Sequence, residues 1–121
     1  MNPPTPPKRI TEWKMRWLFR RHRFLARVKS GELMQRITRN THPSRTAACE
    51  PFCTLTQEIS YDNPDGQEQA RVHQYLRTDG TIGAWGLPDP KRLKIGTRIY
   101  AMHKRDARVP LHEQAEAWAL K

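Results

Sequence analysis

The sequence predicts an α+β fold: a basic N-terminal helix, a small antiparallel β-meander of about four strands, and a short C-terminal helix. Three observations predict it. Apolar residues between Ile10 and Lys29 recur at helical spacing, those between Phe52 and Met102 alternate as in strands, and turn-forming residues separate the alternating runs. A chain of 121 residues is one ordinary domain, or a small domain with an arm. The expected division is a disordered proline-rich lead-in over 1–9, a basic helical arm over 10–48, and a small α+β domain over 49–121.

Each element has its own signal. Met1 to Pro7 (MNPPTPP) is too rich in proline for a helix or strand. From Ile10 to Lys29 a helix is expected, with Thr11 as N-cap and Glu12 in the first turn. Ile10, Trp13, Trp17, Phe24 and Val28 form its packing stripe, widened by Leu18 and Leu25. Arg16, Arg20, Arg23 and Arg27 form a second row on another face. Ser30-Gly31 is the stop, Glu32 to Arg39 restarts as a short helix, and Asn40 to Glu50 is a connector.

The period then changes. Phe52 to Tyr61 reads as a strand, Asp62-Asn63-Pro64-Asp65-Gly66 as a turn, and Ala70 to Arg77 as a second strand. Thr78-Asp79-Gly80 makes a tight turn into a short third strand, Thr81 to Trp85. Gly86 to Leu93 is read as a loop because of its two prolines, and Arg98 to Met102 as the fourth strand. Pro110 opens a last helix, Leu111 to Leu120.

Charge narrows the function. Residues 1–48 hold twelve Lys and Arg against Glu12 and Glu32, so the whole net charge of +10 lies there, and 49–121 is balanced. A neutral module with an arginine-rich N-terminal segment is the pattern of a polyanion binder. Arg16, Arg20, Arg21, Arg23 and Arg27, with Arg36 and Arg39 beyond them, are the expected phosphate contacts, because a guanidinium offers phosphate a fixed fork of donors. Trp85 sits between Gly83 and Gly86, shortly before Lys91, Arg92 and Lys94. An indole beside cations on a loop stacks a base while the cations hold phosphate, although a tryptophan at a strand end also plugs a core. Tyr75 and His73, sharing a strand face with Arg71 and Arg77, would extend such a surface.

Other chemistries find little. Cys49 and Cys53 have no matching second pair among the scattered histidines, so no metal and no cofactor is expected. Asp62, Asp65 and Asp79 lie in turns, and the glycine- and histidine-based catalytic motifs are missing, so no catalytic residue is named. No apolar run reaches the roughly 18 residues of a transmembrane helix, and the opening prolines do not read as a secretory signal. The expected compartment is the cytoplasm of a prokaryote or of a virus-infected host cell. A mitochondrial location is the alternative, because the Arg-rich, acid-poor start also suits a transit peptide. A membrane-surface helix is another rival for the same segment.

Tyr75-Leu76-Arg77-Thr78-Asp79-Gly80-Thr81-Ile82-Gly83, continued by Gly86, Pro88-Asp89-Pro90 and Lys91-Arg92-Leu93, resembles a stretch found in small uncharacterised proteins of phage and mobile-element type. The resemblance covers residues 75–93, brings no assigned activity with it, and implies an accessory protein. The resulting expectation is a non-enzymatic protein that contacts the phosphate backbone of RNA or DNA, within a larger nucleoprotein complex. One alternative is an adaptor or inhibitor whose basic helix docks on an acidic protein. A second is a small metal-dependent nuclease.

Overall fold

Six strands and two helices account for the regular structure of the described residues, 6–41, 50–84 and 86–103, in the computed structural model. In chain order they are β1 (Lys8–Ile10), α1 (Glu12–Arg21), α2 (Phe24–Lys29), β2 (Met34–Thr41), β3 (Leu55–Asp62), β4 (Glu68–Leu76), β5 (Asp89–Ile95) and β6 (Arg98–Met102). They build one sheet in the order β1-β6-β5-β4-β3-β2. β2 to β6 form an antiparallel meander, and β1 adds to β6 in parallel, Lys8 facing Tyr100 and Ile10 facing Met102.

This topology places β1 and β2, neighbours in sequence, at opposite edges. The chain between them must therefore cross the sheet. Five inter-strand spacings amount to about 24 Å. Helices of ten and six residues rise about 15 and 9 Å, which matches that width. α1 packs on β5 and β6, and α2 carries the chain on towards β2.

Local chemistry sets the helix ends and the bend. The Thr11 hydroxyl accepts from the Lys14 N–H at 3.2 Å and caps α1. Met15, Leu18 and Phe19, at i, i+3 and i+4, are the residues α1 buries. α1 ends at His22, and Arg23 adopts the left-handed conformation, φ 54° and ψ 39°. That elbow folds the Phe24 ring back parallel to Phe19, centroids 5.7 Å apart, and Phe19 leans on Tyr61 of β3. The three rings, with Ile59, Val72, Ala70 and Leu93 from the sheet, make the core. Burial pushes the Tyr61 phenol up to about 12.

The expected helix, four-strand meander and C-terminal helix are corrected to a six-stranded mixed sheet carrying two helices on one face. The helix expected over 10–29 is two helices, broken at Arg23. The short helix expected over Glu32 to Arg39 is strand β2: pairing with β3, in which β-branched Ile37 faces Ile59 and Thr41 faces Thr56, overrides local propensity. The stretch read as an arm therefore supplies edge strand β2, while the other edge strand, β1, takes Lys8 and Arg9 from the lead-in and Ile10 from the arm. Of the third strand expected over Thr81 to Trp85, the described residues 81–84 form no strand and make only an isolated bridge, Leu76 to Ile82. The next strand is β5, which begins within the expected loop at Asp89 and runs past its end to Ile95. It accommodates Pro90 near its start, opposite a register shift in β4 between Arg71 and Val72, and its pairing with β6 begins only at Arg92. The helix expected over 111–120, and Trp85 itself, lie outside the described residues.

Two variants test the elbow. Phe24→Ala should lose about 3–5 kcal/mol in urea unfolding. Arg23→Gly should lose nothing and gain up to about 1 kcal/mol, since glycine adopts a positive φ without cost. A loss of more than about 1 kcal/mol in the glycine variant would contradict the elbow geometry.

Candidate functional site

The way α1 lies on the sheet decides which of its residues face water. With Met15, Leu18 and Phe19 turned inward, a 100° step per residue puts Trp13, Trp17 and Arg20 on the opposite crest. Trp13 is 52 % and Trp17 45 % exposed, so the two indoles expected in the packing stripe are surface residues. Cations border them. Lys14 Nζ lies 4.6 Å from the Trp17 ring centroid, a cation–π contact. Arg20, Arg21, His22 and Arg23 are all exposed where the helix ends, at the negative end of its dipole, which favours cations there. Tryptophans on that crest were legible only by preferring Met15-Leu18-Phe19 as the core stripe.

The other expected contacts fare differently. Arg16 is drawn into the fold: it meets Glu12 at 2.6 Å and Asp89 of β5 at 3.1 Å, tying α1 to the sheet. Lys91 also bonds Asp89, at 2.9 Å. Arg27 pairs with Glu32 while covering the Phe24 ring. Arg36 bonds Asp62 at 2.8 Å. These four serve the protein's own carboxylates. Arg21, Arg23, Arg39, Arg92 and Lys94 make no ion pair with a described carboxylate.

Arg92 and Lys94 lie far from the α1 crest, on the sheet face that the helices leave open. Strand register aligns Arg36, Ser60, Arg71 and Arg92 across that face. It is not an anion track, because carboxylates are threaded through it. Arg71 bonds Glu58 at 3.0 Å and Glu68 at 2.8 Å, beside the Arg36 to Asp62 pair. The Arg36 hydrogen bond, helped by Ser60, holds the Asp62 carboxyl below its usual range. His73, edge-on to Tyr75 at 4.8 Å, has its pKa lowered by burial and adds no charge at neutral pH. At the far end Arg77 makes two hydrogen bonds to the buried carboxylate of Glu50, 3.0 and 3.2 Å, which holds the Glu50 pKa down. That carboxylate fills the space where any residue but glycine at position 83 would place its Cβ.

A cleft of about 330 Å³ opens at the elbow, lined by Phe19, Leu25, Ala26 and Leu87 and by the exposed Arg20 and Arg23. Among the described residues no three His, Cys, Asp or Glu side chains are grouped to hold a metal ion, and Cys49 lies outside them. No described helix is long and apolar enough to cross a membrane. The chain matches no family model, and no curated protein or solved structure is significantly similar to it.

The open-face network has a pH signature. With its folded pKa lowered, Asp62 stabilises fully above its unfolded value near 4 and loses that contribution as pH falls through the folded value. Asp62→Asn should be less stable than wild type at neutral pH and lose stability less steeply on acidification. Urea midpoints falling in parallel for the two proteins would contradict the pairing.

Proposed function

We propose that the chain is a non-enzymatic nucleic-acid-binding accessory protein that grips unpaired RNA or DNA with the outer face of α1, within a larger nucleoprotein complex. The observation that carries this reading is the exposure of Trp13 and Trp17 on the crest of a helix bordered by Lys14, Arg20 and Arg21. Burying a tryptophan removes about 150–250 Å² from water, so half-exposed indoles forgo about 2 kcal/mol each. Indoles kept in water beside cations suit a ligand with flat faces and regular negative charge.

Unpaired nucleic acid is such a ligand. Its bases stack on indoles whatever their sequence, and its phosphates meet the arginines. In a duplex the base faces are already stacked on each other, which leaves only grooves and backbone. A membrane surface suits the site less well, because an interfacial helix inserts a whole apolar face and α1 spends its own on the sheet. The open face of the sheet, where Arg36 and Arg71 are tied to carboxylates, is assigned no part in binding.

Stacking and charge separate in a titration. With Lys14, Arg20, Arg21 and Arg23 each meeting one phosphate, log K for a poly(dT) or poly(U) oligonucleotide should fall with log salt at a slope near −3. Arg21→Ala with Arg23→Ala should reduce that slope by about 1.4. Trp13→Ala with Trp17→Ala should leave the slope alone but weaken binding by about 1–3 kcal/mol per stacked base. An oligonucleotide affinity unchanged by both double variants, with binding retained to an acidic protein partner, would replace this reading with the adaptor.

A further inference from the structure

The cleft at the α1–α2 elbow has a construction that backbone binding alone does not require. Its apolar lining is Phe19 from α1, Leu25 and Ala26 from α2, and Leu87 from the loop before β5. Its mouth carries Arg20 and Arg23. The volume of about 330 Å³ lies at the small end of the range for ligand sites, about 300–1,000 Å³. Arg23 holds its place there only by adopting the left-handed backbone, a conformation that is costly for a side chain larger than glycine and recurs at functional sites. An apolar slot with guanidinium groups at the mouth selects a flat apolar body joined to an anion.

We propose that this cleft receives one unpaired nucleobase, whose own phosphate is held at the mouth by Arg23 together with Arg20. The proposal rests on the nucleic-acid reading above and adds to it a defined base pocket beside the stacking crest. The floor is lined by hydrocarbon side chains, so the pocket fits any base of suitable size and reads no sequence. Leu25 and Leu87 bracket the ring, and the Arg23 guanidinium forks to the phosphate. A strand that stacks on Trp13 and Trp17 and continues past the end of α1 meets this cleft next.

The test uses the full chain and an octamer of deoxythymidine, followed by backbone amide shifts at Ala26 and Leu87 and by indole signals of Trp13 and Trp17. Ala26→Phe fills the cleft, and Arg23→Gly removes the cation while keeping the left-handed backbone. In the wild type both sets of signals should move. Each variant should lose the cleft shifts, keep the indole shifts, and bind about tenfold more weakly. Wild-type affinity in both variants, with the indoles still responding, would overturn the pocket and leave the proposed function standing. No response to the octamer anywhere would overturn both. Thymidine 5′-monophosphate binding at the cleft as tightly as the octamer would overturn the strand-borne base in favour of a free nucleotide.

Discussion

The path that connects β1 to β2 governs this molecule. The two strands are neighbours in sequence but flank opposite edges of a six-stranded sheet, so the intervening chain must cross one face and turn on the way. The turn is made by a single left-handed residue, Arg23, and is secured by the parallel stacking of Phe24 on Phe19 above Tyr61. Aromatic pairs of this kind add about 0.5–1.5 kcal/mol beyond the area they bury. Once Phe19 is committed to that stack, the rotation of α1 about its axis is fixed. Met15 and Leu18 follow Phe19 inward, and Trp13 and Trp17 have nowhere to go but outward. The surface proposed to bind is thus a consequence of the packing, not an independent feature.

Electrostatics divides the molecule in the same way. Arginine is abundant on both faces of the sheet but has different company on each. On the open face, Glu58, Asp62 and Glu68 are paired with Arg36 and Arg71, and the network serves to order the exposed side of the strands. Such partly exposed pairs contribute little stability each, on the order of 0–1 kcal/mol. Near the elbow, Arg20, Arg21 and Arg23 follow one another with no acidic residue between Glu12 and Glu32. Clustering of positive charge, more than the total charge, is what draws a polyanion from a distance.

Much of this was legible in the sequence and some was not, for definite reasons. The turns at 62–66 and 78–80 were legible because their geometry is local: Asn63 Oδ1 accepts from the Asp65 and Gln67 N–H groups, and Asp79 Oδ1 from the Thr81 N–H. β3, β4 and β6 were legible through alternation. β2 was hidden because every one of its residues is exposed, which leaves no apolar alternation to read. β5 was hidden by Pro90, tolerated only where the partner strand is irregular. Within the site, Arg20, Arg21 and Arg23 could be found from charge alone. The diversion of Arg16 to Asp89 and Arg36 to Asp62 could not, because those partners lie 73 and 26 residues away in the chain. The outward tryptophans are not legible from residue bulk, because the smaller stripe of Met15, Leu18 and Phe19 is the one that packs.

The elbow therefore links packing to the proposed site: it fixes two indoles outward, leaves cations exposed at the end of α1 and lines a small cleft. The most direct measurement is photo-crosslinking of the full chain to a uridine-rich single strand, with the attached peptides identified by mass spectrometry. The account predicts crosslinks concentrated between Trp13 and Ala26. Crosslinks concentrated instead on β4 and β5 of the open sheet face, or none above a neutral control protein, would contradict it.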